Sequence, residues 1–159
     1  MGMTEAGILW RIELPLALPV IVAGLRIAKP KSKLGVVWID AHADLHTPYT
    51  TPSGNLHGMP MAISLGEDNS DCASHEPDAQ TLKYWENLKR IGKIHPKVKP
   101  EDVIYIALRD YEKEERYLIE KLGIKVISIK EIRSKGVESV VRSALRYFAP
   151  HIQNRPKQC

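Results

Sequence analysis

Three short apolar runs rich in β-branched residues set the limits on this fold. They are "LGVVWI" (34–39), "VIYIAL" (103–108) and "KVISI" (125–129). Runs of this length, without an alternating polar face, read as strands buried on both sides. Between and after them lie helical patterns. "TLKYWENLKRIG" places Leu82, Trp85, Leu88 and Ile91 at helical spacing. "EKEERYLIEKLG" opens acidic and closes on Lys121 and Gly123, which suits the helix dipole and a left-handed C-terminal cap. "VESVVRSALRYF" is a last amphipathic segment. Strands alternating with helices predict an α/β fold, a partial three-layer α/β/α arrangement with a mostly parallel sheet. "GEDNSDCASHEPDAQ" (66–80) reads as a polar loop.

At 159 residues the chain has room for one ordinary domain. Its formal charge of +4 comes from scattered Lys and Arg, with no basic block interleaved with aromatics, so no nucleic-acid partner is expected. Cys72 and Cys159 lack CxxC spacing, which excludes a disulfide framework or zinc finger and fits a reducing cytoplasm.

The first thirty residues differ in character. Leu14 to Leu25 is an apolar run carrying Pro15 and Pro19. At about a dozen residues it falls short of the ~20 needed to span a bilayer, so no membrane partner is expected. Glu5 and Glu13 precede it where a signal peptide would be basic. The reading is a short polar helix followed by a Pro-punctuated apolar segment. "GMTEAGILWRIELPLALPVIVAGLRIA" resembles the coupling loop and membrane-helix start of an ABC-transporter permease. The expected organisation is a permease-like lead-in (1–29), a polar junction (30–33) and an α/β domain (34–159).

Ligands of parallel sheets bind beyond the carboxyl ends of the strands. There the first run passes into "DAHADLHTPYTTPSGNLHGMP" (40–60). In an extended backbone Asp40, His42 and Asp44 would share one face. Two carboxylates and an imidazole suit Mn²⁺ and also Fe²⁺, Co²⁺, Ni²⁺ or Zn²⁺. An ion with open positions lowers the pKa of bound water. Ser53 and Asn55 flank Gly54 and offer short donors and acceptors, and His57 offers an imidazole that could move protons.

Taken together this stretch closely resembles the ureohydrolase family of arginase, agmatinase and formimidoylglutamase, over residues 34–148. The resemblance implies an arginase-like fold, two Mn²⁺ ions, and a metal-activated hydroxide that attacks a guanidino or formimino carbon and releases urea or formamide. It implies Asp40, His42 and Asp44 as metal ligands, Ser53 and Asn55 as substrate-binding residues and His57 as a catalytic proton shuttle. "ALRDYEKEE" (107–115) resembles the family's "GLRDxDxxE", which implies that Glu112 and Glu115 help hold a substrate amino group. His46 stands where arginases usually carry asparagine against the substrate, and Glu112 where aspartate is usual. Both departures bear on whether arginine itself is the substrate.

The resemblance implies six metal ligands, and this chain carries three. No "GGDHS" segment precedes them and no later "D-x-D" strand follows. The sheet is therefore expected to be incomplete at both ends and prone to homo-oligomerise. Two functional expectations follow. One is a hydrolase of a small guanidino or formimino substrate whose missing ligands come from elsewhere. The other is an inactive fusion fragment that binds at most one divalent ion through Asp40, His42 and Asp44.

Overall fold

The computed structural model describes residues 14–28 and 34–153. The expected polar lead-in helix and the junction at 30–33 lie outside those residues. The elements are α1 (Leu14–Ala28), β1 (Val36–Ile39), α2 (Pro60–Leu65), α3 (Ala79–Lys89), β2 (Val103–Ile106), α4 (Lys113–Leu122), β3 (Lys125–Ile127), α5 (Ile129–Lys135) and α6 (Val137–Gln153).

The three strands form one sheet in the order β1-β2-β3, and both pairings are parallel. Val36 pairs with Val103 and Trp38 with Tyr105, while Ile104 pairs with Lys125. Alternate residues then face opposite layers. Val103, Tyr105, Val36 and Trp38 pack with α2, Trp85 of α3 and Leu118 and Ile119 of α4. Ile104, Ile106 and Ile127 pack against Val140 and Ala144 of α6. The arginase-like three-layer α/β/α arrangement predicted from sequence is observed, with β1 and β3 as the sheet's edges.

The strands are shorter than the apolar runs. β2 stops at Ile106 because Ala107 enters the left-handed region, at φ 70°. β3 stops at Ile127 because Ser128 caps the next helix, its hydroxyl accepting the Glu131 N–H at 3.2 Å. The helices on the core face begin and end where the sequence signals. The Asp78 carboxylate accepts the Thr81 N–H at 2.7 Å to start α3. Glu112 and Glu115 form a capping box at the start of α4, which Gly123 ends at φ 64°. α2 ends at Gly66, φ 77°, where a β-carbon would lie 2.5 Å from the His95 ring. Glycine is therefore needed there for conformation and for space.

The Pro-punctuated segment is one helix rather than a broken run. Pro15 falls in the first turn of α1, where its missing N–H has no intrahelical use. Pro19 lies inside the helix. Burial of Val22 and Ala23 offsets that local cost. Val22 joins the core-face cluster, and Ala23 packs closely on Gly92.

Candidate functional site

β1 ends at Ile39, and the chain then bends instead of running on extended. Asp44 sits in the left-handed region at φ 53°. The expected strand-like alternation is thus not what brings Asp40, His42 and Asp44 to one cleft. A bend carries them there, held by backbone and side-chain partners from later in the chain. The Arg109 and Asp110 N–H groups donate to the Ala41 carbonyl at 3.0 and 2.9 Å. The Tyr105 hydroxyl donates to the Ala43 carbonyl at 2.6 Å, and the Met61 N–H to the Asp44 carbonyl at 3.0 Å. The Leu45 N–H donates to Glu115 Oε1 at 2.9 Å.

The turn forms one wall of a cleft of about 850 Å³ at the carboxyl ends of β1 and β2. Every sequence-predicted site residue lines it: Asp40, His42, Asp44, His46, Ser53, Asn55, His57, Glu112 and Glu115. The Asp40 carboxylate is 3.2 Å from His42 Nδ1, and Asp110 Oδ2 is 3.7 Å from His42 Nε2. Burial, then the nearby charges of Asp40 and Glu115, push the Asp44 carboxyl up to about 7. A crowd of acidic groups around one imidazole matches the charge and donor chemistry that a divalent cation requires. Asp40, His42 and Asp44 thus bring donor types that suit such an ion, while the donors whose ligand atoms gather within 4.8 Å of one another are His46, Glu112 and Glu115.

Deeper in the cleft, His46 is buried and bonded at both ring nitrogens. Nδ1 lies 3.2 Å from Thr50 Oγ1, and Nε2 lies 3.1 Å from Glu112 Oε2. Glu115 is buried beside them, its Oε2 accepting the Glu112 N–H at 3.1 Å. Burial and its bond to Glu112 push the Glu115 carboxyl up to about 7. Bonding to Glu115 and His46 holds Glu112 below its ordinary range. One ligand atom from each of His46, Glu112 and Glu115 lies within 4.8 Å of the others. Glu115 spends both oxygens on backbone donors, so it braces the wall, while the half-exposed Glu112 side chain faces the cleft.

Ser53, Asn55 and His57 lie exposed on the opposite wall. Gly54, at φ 72°, makes the turn between Ser53 and Asn55. His57 belongs to a single 3₁₀ turn, Leu56–Gly58. His46 anchors that wall through its N–H to the Gly58 carbonyl, at 3.0 Å. Sequence reasoning did not single out Ala107 and Arg109 as cleft residues, or Asp110 as a neighbour of His42. The signal was available in the "ALRD" stretch, which begins where β2 ends.

Comparison with known proteins agrees with this geometry. A match to the arginase family covers residues 15–154, so it takes in α1 as well as the cleft. The arginase of Brevibacillus brevis is 40% identical over 123 residues, which is 77% of this chain and 36% of the relative. Human arginase-1 is 36% identical over 121 residues, covering 76% of this chain and 34% of its own length. The native structure of Bacillus caldovelox arginase at pH 5.6 superposes with a TM-score of 0.69 at 34% identity, over 86% of this chain and 40% of that one. Helicobacter pylori arginase gives a TM-score of 0.66 at 28% identity, over 84% and 43%. The chain spans about a third of the length of these curated relatives.

Proposed function

The chain belongs to the arginase family, and from that premise we propose that its cleft serves a metal-dependent hydrolase of guanidino C–N bonds, with an arginine-like substrate and urea as product. The observation that carries this reading is the convergence of all the candidate residues on one cleft at the ends of β1 and β2.

In this proposal Asp40, His42 and Asp44 hold divalent metal, and Mn²⁺ is the preferred ion of the implied family. When bound, the metal supplies Lewis-acid activation of water. The chain's own groups do the rest. Ser53 and Asn55 meet the polar end of the substrate. Glu112 accepts from a substrate amino group, steadied by its bond to His46. His57, exposed at the wall of the cleft, carries a proton on an imidazole nitrogen between the departing amine and solvent. Among the described residues no helix is long and apolar enough to cross a membrane. We place the protein in the cytoplasm. The exposed Val37 and Ile39 on β1 favour a homo-oligomer.

Urea release from arginine and agmatine in the presence of Mn²⁺ tests the proposal. Release that collapses in His57→Ala supports it, and a chain that releases none at any protein concentration counts against it. A second reading, an inactive fragment that binds one ion at most, draws on the donor count, since three side chains supply the site. Tight ion binding without urea would favour it.

A further inference from the structure

Asp44 holds a backbone conformation that L-residues adopt at a cost, φ 53°. Such a conformation persists only where its surroundings over-determine it. Here both flanking carbonyls are fixed from outside the loop. The carbonyl that follows is held by the Met61 N–H at 3.0 Å. The carbonyl that precedes, on Ala43, is held by the Tyr105 hydroxyl at 2.6 Å.

The tyrosine side chain is 0% exposed and sits on β2, in register with Trp38 of β1. Its ring faces the apolar core cluster, where phenylalanine would fill the same space. A hydroxyl at that depth is unfavourable unless it is bonded. Its bond goes to the peptide that joins Ala43 to Asp44, one residue beyond His42. Burial, then the charges of Asp44 and Glu115, raise the Tyr105 phenol well above its ordinary range, so it stays a donor.

We propose that Tyr105 is a positioning residue for the ion site. Through the Ala43 carbonyl it fixes the peptide between His42 and Asp44, and so sets the spacing at which the two side chains meet one divalent cation. The inference rests on the reading of Asp40, His42 and Asp44 as ligands. Without the hydroxyl the 43–44 peptide loses its outside anchor, Asp44 relaxes toward ordinary backbone, and its carboxylate shifts relative to His42.

The test is a calorimetric Mn²⁺ titration of the wild-type chain, Tyr105→Phe and Ser128→Ala, with thermal unfolding of each. Ser128→Ala removes the α5 cap, outside the cleft, without changing charge. Loss of an outer partner to a ligand weakens metal affinity about 10- to 100-fold. The expectation is a loss of about tenfold or more in Tyr105→Phe and of less than about twofold in Ser128→Ala. Equal affinity in wild type and Tyr105→Phe would overturn the inference alone. So would equal weakening in both variants, since affinity would then merely follow stability. No ion on the wild type would overturn the ligand reading and this inference with it.

Discussion

Ala107 ends β2 at φ 70°, lines the cleft, and donates its N–H to the Ile127 carbonyl at 2.9 Å. The bend it makes sends Arg109 and Asp110 back to the Ala41 carbonyl. The family stretch that this segment resembles begins with glycine at that position. The left-handed conformation costs an L-residue about 1–2 kcal/mol, and glycine removes that cost. Glycine also frees the unfolded chain, which takes back about 0.4–1 kcal/mol. Ala107→Gly should therefore stabilise the fold by about 0.5 kcal/mol, or about 1–2 °C for a chain of this size. Ala107→Val moves the other way, because a β-branched residue at positive φ is a genuine outlier. It should cost about 2 kcal/mol, in the range for strained backbone. The two variants should thus differ by roughly 5–10 °C in Tm. Thermal unfolding followed by circular dichroism reads the difference. A glycine variant less stable than wild type by about 1 kcal/mol, as glycine in ordinary backbone would be, would refute the left-handed assignment and the bend built on it.

Three further outcomes follow from the same structure. Burial raises the Asp44 and Glu115 carboxyls to about 7, above their unfolded values, so the folded metal-free chain binds more protons between about pH 4 and 7. Its stability should fall as pH rises through that window, with the slope reduced in Asp44→Asn, as urea melts at a series of pH values would show. The buried Lys97 ammonium donates to the Leu88 and Lys89 carbonyls at the end of α3, and burial lowers it to about 8. The unfolded chain then binds more protons from about pH 8 to 10.5, so stability should rise there in wild type and stay flat in Lys97→Met. His46→Ala removes a buried ring with two hydrogen-bonded nitrogens, and should cost about 2–4 kcal/mol in chemical denaturation.

The parts of this fold that were legible from sequence are those set by local chemistry. Glu112 and Glu115 announce the start of α4, and Gly123 its end, because capping needs only neighbours along the chain. β3 ends early for a reason that is also local, since Ser128 and Glu131 carry the helix-start spacing inside what looked like strand. The α/β layering follows from the apolar runs alone. The ligand turn was not legible. Asp40, His42 and Asp44 were proposed from their types and spacing, but their shared place at the cleft was assigned to extended backbone, where the chain in fact bends. The groups that shape the turn, Tyr105, Arg109 and Asp110, lie more than sixty residues away, and no local pattern in 40–46 records them. The burial of Lys97 was hidden for the same reason, since its acceptors are carbonyls that exist only once α3 has formed.

The proposed function stands on Asp40, His42 and Asp44 acting as a divalent-ion site at the end of β1. Calorimetric titration of Mn²⁺ into the wild-type chain and into an Asp40→Ala, His42→Ala double variant tests it most directly. Saturable binding to the wild type is expected, with at least a hundredfold loss in the variant, in which two of the three proposed ligands are gone. Equal binding by both proteins, carried for instance by His46, Glu112 and Glu115, would contradict it.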